Sequence, residues 1–276
     1  MNIDAHQHFW RVDRGDYGWM SPSVPTLYRD YLPPDLAPLL QAAEIDRTIL
    51  VQAAQTEAET EFLLDLADNT PFVAGVVGWL EMDDESFPER LERFRRNPKF
   101  VSVRPMLQDL ADDAYLLRPK VVANLNYLAS IDFPFEFLTF PRHLAHVESV
   151  LRQVPGLRAV IDHLSKPPIG SGELEPWRGL IGRVAAFPNL SCKVSGMVTE
   201  ADHANWTIDD LKPYVDHVVD SFGADRVMFG SDWPVALQAA TYGEVVETAR
   251  TLLGARLDAA GMAAAFGGNA ARFYGL

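Results

Sequence analysis

Short apolar, often β-branched runs alternate about eight times with longer amphipathic stretches, and this alternation limits the fold more than any other feature. The runs expected to form strands are Asn2–Ala5, Thr48–Gln52, Val73–Trp79, Val101–Arg104, Phe135–Leu138, Ala159–His163, Leu190–Val194 and Val227–Phe229. Between them, Val147, Val150, Leu151 and Val154 recur at i, i+3, i+4 and i+7, and Leu211, Val215, Val218, Val219 and Phe222 keep to one helical face. Thr56-Glu57-Ala58-Glu59 has the form of a capping box opening a helix through Phe62, Leu63 and Leu66. Strands separated by helices pair in parallel through right-handed crossovers. The expected fold is therefore α/β, a single (β/α)8 TIM-type barrel domain spanning residues 1–276. A chain of 276 residues suits one such barrel, and no linker, repeat or low-complexity tract divides it.

Three stretches are too long for minimal connections: Trp10–Pro34, Met106–Pro119 and Val198–Thr207. Each follows a strand and so belongs to the C-terminal face, where barrels build their sites. The Ala-rich tail, Leu257–Leu276, is expected to form two short helices closing the barrel's outside. Acidic residues exceed basic ones by 38 to 24, for a net charge of −14, so the surface repels phosphate backbones and nucleic acid is an unsuitable partner. No apolar run approaches membrane-span length, so no membrane partner is expected. Nothing at the N-terminus reads as a signal peptide, and the single cysteine, Cys192, excludes an intrachain disulfide. The expectation is a soluble, cytoplasmic protein; its oligomeric state is not set by these features.

What the strands end with is more informative. Asp4, His6 and His8 alternate, which in a regular strand puts all three on one face. Two adjacent imidazoles can hold a divalent metal or together polarise a carbonyl oxygen. The fourth strand ends at Arg104, with Gln108 just beyond; the fifth carries Glu136; the sixth ends in Asp162-His163; the seventh carries Lys193; the eighth runs into Ser231-Asp232-Trp233-Pro234. Buried parallel strands should read as continuous apolar runs. Each exception has a bland alternative: Asp162 as a loop cap, Glu136 with Lys193 as a buried ion pair, Cys192 as a small core residue. Together, though, so many charged strand ends converge on one barrel mouth, and such groups are costly there unless paired or used.

Asp4-Ala5-His6-Gln7-His8-Phe9-Trp10, Asp162-His163-Leu164-Ser165-Lys166-Pro167, Cys192-Lys193-Val194-Ser195-Gly196 and Phe229-Gly230-Ser231-Asp232-Trp233-Pro234 occur in an order that resembles the amidohydrolase superfamily, specifically its branch of sugar lactonases. The likeness covers essentially the whole chain, and it implies the same barrel. It also implies roles: His6 and His8 as the first-strand histidines, His163 as the sixth-strand histidine, and Asp232 as the eighth-strand general base. Dinuclear members carry a carboxylated lysine on the fourth strand. Arg104 stands there instead, always protonated and unable to bridge metals. The fifth-strand histidine is missing too, with Glu136 in its region. One divalent ion or none is left, zinc or manganese, on His6, His8 and Asp232 with His163 or Glu136 as a fourth ligand. A lactone is an activated ester, so the ion need not be essential.

The activity implied is hydrolysis of a sugar lactone. Asp232 takes the proton of the attacking water, and His6, His8 and His163 polarise the carbonyl. Arg104, Gln108, Lys193 and Lys166 are candidates for oxyanion or hydroxyl contacts. Trp19, Trp79 and Trp233 offer flat faces for a sugar ring, and Tyr17 and Tyr28 reach from the first long loop. Two alternatives remain: a metal-dependent amide hydrolase or decarboxylase on the same barrel, and a non-catalytic barrel that binds a sugar or a protein.

Overall fold

The computed structural model describes residues Met1–Leu276. Eight parallel strands follow one another in sequence order: β1 Ile3–Gln7, β2 Arg47–Val51, β3 Val73–Gly78, β4 Phe100–Val103, β5 Phe135–Phe137, β6 Ala159–Ile161, β7 Leu190–Val194 and β8 Val227–Phe229. The helices around them are α1 Pro33–Ala42, α2 Glu57–Asp68, α3 Phe87–Phe94, α4 Pro119–Ser130, α5 Leu144–Gln153, α6 Trp177–Ala185, α7 Ile208–Phe222 and α8 Tyr242–Gly254, with α9 Ala259–Ala263 and α10 Asn269–Tyr274 at the C-terminus. The result is the (β/α)8 barrel expected from the alternation. β7 and β8 keep their expected bounds. β6 stops two residues early, because Asp162–Ser165 coil into a tight turn instead of extending.

The barrel is closed just past the formal strand ends. Gln7 bridges to Trp233, His8 N donates to Trp233 O at 2.7 Å, and Asp232 N donates to His6 O at 2.8 Å. These bonds bring the two histidines of β1 against the aspartate that follows β8.

A register shift between Asp4 and Gln7 overturns one expectation. Ile3 and Ala5 pack inside the barrel with Ile49, Val51, Val77, Val160 and Met228. Gln7 instead pairs with Leu50 and bonds the Thr48 hydroxyl, both on the outward side of β2. The bulge lets Ala5 and His6 both face inward, as bulges do when they re-aim a side chain. Asp4 therefore points outward, away from His6 and His8. Its carboxylate accepts from Ser231 N at 2.8 Å, His6 N at 3.1 Å and the Tyr242 hydroxyl of α8 at 3.2 Å.

The tail also departs from expectation. Between α9 and α10 lies a π-helical stretch, Ala264–Gly268, and the tail plugs the barrel's floor, not its outside. Ala270, Phe273 and Tyr274 join the interior apolar cluster, and the Tyr274 hydroxyl donates to Glu136 Oε1 at 2.5 Å. An eight-stranded barrel leaves its N-terminal end to be filled, and aromatic side chains fill it. No helix is long and apolar enough to cross a membrane.

The predicted capping box opening α2 is half present. Thr56 Oγ1 accepts from Glu59 N at 3.1 Å. The Glu59 carboxylate turns instead to the backbone N–H groups of Ala53 and Ala54, in the loop that leaves β2 for the site.

Candidate active site

Four polar side chains meet at the mouth, placed by three strand ends: His6 and His8 by β1, His163 by β6 and Asp232 by β8. His8 Nδ1 lies 2.8 Å from Val51 O. That carbonyl can only accept, so it holds the proton on Nδ1 and leaves the Nε2 lone pair facing inward. His8 Nε2 is 3.2 Å from His6 Nε2 and 3.3 Å from Asp232 Oδ1; His6 Nε2 is 3.8 Å and His163 Nε2 is 3.7 Å from the same oxygen. Gly230 makes the approach possible: a Cβ there would stand 2.7 Å from His6 Cβ. Asp232 and His163 both adopt left-handed backbone, with φ of 58° and 52°, so the surrounding contacts must hold each in place.

Burial alone would push the Asp232 carboxyl up. The imidazoles gathered on it, His163 first and then His8 and His6, outweigh burial and hold Asp232 well below the usual carboxylate range. His163 is lowered to about 4, chiefly by burial against the pull of Asp232 and Asp162. His6 is driven well below its ordinary value by burial and then by Lys193. At neutral pH the site is thus an ionised carboxylate flanked by His6 and His163 in neutral form.

Beneath His6 lies a second, sealed group. Lys193 Nζ is 2.6 Å from Glu136 Oε2, 3.0 Å from Asp162 Oδ1 and 3.2 Å from His6 Nδ1. Arg104 Nη1 donates to Asp162 Oδ2 at 3.0 Å, and its Nη2 donates to Gln52 O. Two sequence-based assignments change here. Lys193 is fully buried and does not line the cavity, so it is not a hydroxyl contact. Glu136 is also fully buried, held by Lys193 and Tyr274, and stands apart from the His6, His8 and Asp232 ligand atoms. The inward positions of β5 and β7 face each other below the mouth, where an unpaired charge would be too costly.

The donor set fits one divalent ion. Ligand atoms on a tetrahedral ion at about 2.0–2.2 Å stand roughly 3.3–3.6 Å apart. The separations among His6 Nε2, His8 Nε2 and Asp232 Oδ1 are 3.2, 3.3 and 3.8 Å. The Val51 carbonyl behind His8 is the kind of partner that orients a ligating imidazole. His163 Nε2 approaches the same carboxylate oxygen from another side.

Above these residues opens a cavity of about 280 Å³. Trp19, Met20, Val24 and Leu27 of the first long loop form an apolar wall, continued by Leu138 and Val235. Gln108, Lys166 and Gln238 form a polar one, and His8, Arg104, His163 and Asp232 lie at the base. Gln108 Oε1 and Arg104 Nε are buried without a hydrogen-bond partner. Lys166 Nζ stands 3.6 Å from Glu200. Trp19 is fixed by its Nε1–H on Ala53 O at 2.7 Å, in the loop that Glu59 organises.

The other aromatic candidates are elsewhere. Trp79 is tied by its backbone to the Thr60 hydroxyl of α2 and is absent from the cavity wall. Trp233 is buried against Phe9 and Tyr31. Tyr17 packs beside Trp10 and Tyr28 faces solvent. Sequence reasoning missed Gln238 and Ser21 on the wall, because neither lies in a strand-end motif. It also gave no role to Ser195, which lay inside a quoted motif and whose Oγ is 2.8 Å from His163 Nδ1.

Known proteins resemble this arrangement over its full length. The family model described as "Amidohydrolase" (Amidohydro_2) matches residues 3–276. An L-fucono-1,5-lactonase of Burkholderia ambifaria is 41% identical over 276 residues, covering 99% of this chain and 94% of that protein. An L-fucono-1,5-lactonase of Burkholderia multivorans is 38% identical over 286 residues, covering 100% and 96%. An amidohydrolase of Burkholderia multivorans crystallised with bound zinc superposes with a TM-score of 0.96 at 37% identity, covering 100% of this chain and 99% of that one.

Proposed function

The chain belongs to the amidohydrolase family, and from that premise we propose that it is a lactonase that opens a sugar-acid lactone by attack of water on the ring ester carbonyl. L-Fucono-1,5-lactone, the substrate in its relatives' names, is the first candidate. The observation that carries the reading is the convergence of Asp232, His6, His8 and His163 at the base of a cavity whose walls divide into apolar and polar halves. A deoxy-sugar lactone has the same division, with hydroxyls along the ring and a methyl at one end.

Asp232 takes a proton from water as the oxygen attacks the carbonyl carbon. The carbonyl π electrons move to oxygen, where His163 and the Arg104 guanidinium at the cavity base meet the oxyanion. Collapse breaks the ring C–O bond, and the leaving alkoxide recovers the proton from Asp232. The products sum to lactone plus water. Gln108 and Lys166 on the polar wall bond sugar hydroxyls, and Trp19 covers the ring.

His6, His8 and Asp232 would hold a single divalent ion, zinc or manganese, with His163 next to it. When bound, such an ion supplies Lewis-acid polarisation and makes a bound water more acidic. The same reading assigns the chain, residues 1–276 acting as one domain, to sugar-acid breakdown in the cytoplasm. Its relatives' substrate and a lone buried cysteine support that placement.

The test is proton release on adding L-fucono-, L-rhamnono-, L-galactono- and D-arabinonolactone, since ring opening yields an acid. Turnover of at least one above its spontaneous rate is expected. Failure with all four would overturn the reading.

A further inference from the structure

His163 stands at the start of a run of four left-handed residues, His163, Leu164, Ser165 and Lys166, with φ between 50° and 59°. Only a strongly constrained segment keeps such a backbone without glycine. The constraints are visible: Trp177 Nε1 donates to Leu164 O at 2.7 Å, Ser165 Oγ meets Thr139 Oγ1 at 2.8 Å, and Asp162 is held by Arg104 and Lys193. They fix where the His163 ring can go. Two consecutive residues after β7 then fix how it sits. Gly196, itself left-handed at φ 60°, lies flat against the ring: a Cβ there would be 2.6 Å from His163 Nδ1 and 2.8 Å from Cγ. Ser195, almost fully buried, puts its Oγ 2.8 Å from the same Nδ1.

We infer that Ser195 and Gly196 form a seat for His163, in which the Ser195 hydroxyl donates to Nδ1 and thereby fixes the imidazole proton on Nε2, the nitrogen that faces the cavity.

Two independent requirements select this direction. The Ser195 hydroxyl has no other acceptor: its one hydrogen bond is to Nδ1, so a proton already on Nδ1 would leave a buried O–H unsatisfied. On the other side of the ring, Nε2 faces the Asp232 carboxylate at 3.7 Å. A lone pair there would be repelled, while an N–H is attracted. Both ends therefore ask for the same tautomer.

The consequence, which rests on the lactonase reading, is that His163 enters catalysis as a ready donor to the carbonyl oxygen. Ser195 never touches substrate. It is a positioning residue, and Gly196 provides the clearance its hydrogen bond needs.

The experiment is nitrogen NMR of ¹⁵N-histidine-labelled protein, with the His163 signals identified by their loss in His163→Asn. The expected wild-type spectrum shows a protonated Nε2 and an acceptor-type Nδ1. In Ser195→Ala the two shifts move toward a mixed-tautomer average, and Ser195→Cys, which keeps a weak donor, returns them part way. On lactone, loss of this one hydrogen bond in Ser195→Ala should lower kcat roughly 3- to 10-fold with KM changed less than about two-fold. A wild-type His163 protonated on Nδ1 overturns the inference without any variant having to fold. So does a Ser195→Ala spectrum identical to wild type. Because the spectra need no substrate, a protein that opens no lactone would sink the lactonase reading and leave this one to be judged alone.

Discussion

The barrel holds two charged groups on adjacent levels, and His6 belongs to both. Below, Lys193, Glu136, Asp162, Arg104 and Tyr274 form a closed network in which Lys193 and Arg104 face the two carboxylates at 2.6–3.0 Å. Above, His6, His8, His163 and Asp232 crowd together with one carboxylate among three imidazoles and an open cavity over them. The residue types are similar, but the contacts differ. The lower level pairs most of its charges internally, which gives rigidity, and of its members only Arg104 also lines the cavity. The upper level presents groups that need a substrate, water or ion to be satisfied. Charge at a strand end is therefore open to a ligand only where it faces the cavity; Lys193 and Asp232 show the two outcomes.

Removing the upper carboxylate should give the largest effect. Asp232→Asn keeps the shape and loses the base, so kcat on lactone should fall on the order of 10²–10⁴-fold with the thermal transition nearly unchanged. Turnover within a few-fold of wild type would show that Asp232 is not the base. The lower level should respond in stability instead. Lys193→Met leaves two buried carboxylates short of a partner and should cost about 3–5 kcal/mol, read as a large drop in the denaturation midpoint. Little change in midpoint would mean the network is not closed in the sense argued here.

Metal binding separates the levels again. Zinc titrated into metal-stripped protein should bind at one site, which His8→Ala and Asp232→Ala abolish and Glu136→Gln leaves. If the ion is dispensable, exhaustive chelation leaves lactone turnover; loss of turnover restored by zinc would make it essential. Smallest are the effects on the wall of the cavity. Gln108→Ala and Trp19→Ala should each raise KM by a factor on the order of 3–10, the worth of one hydrogen bond or one partly exposed contact, while Trp79→Phe should leave it unchanged.

The barrel was legible in the sequence because its signal is local and repeated. Period-3.6 stretches between short apolar runs dictate parallel strands and crossovers wherever they occur. So were the strand-end residues His6, His8, His163 and Asp232, since a charged group ending a buried strand is conspicuous against its apolar neighbours. Which way each charged group faces was not legible, because that depends on one-residue events. A single bulge in β1 sends Asp4 outward to Tyr242 and turns His6 inward, and simple alternation could not foresee it. Partners distant in sequence were hidden too. Glu136 meets Tyr274 across 138 positions, and the tail that carries it read only as Ala-rich helix. Ser195 looked like any small residue until the turn after β6 laid His163 against it. The sequence determined which groups gather at the mouth, because hydrophobic periodicity sets the strands that end there. Only the tertiary structure decided which are satisfied and which remain free to act, because that depends on distances of a few tenths of an ångström between residues far apart in the chain.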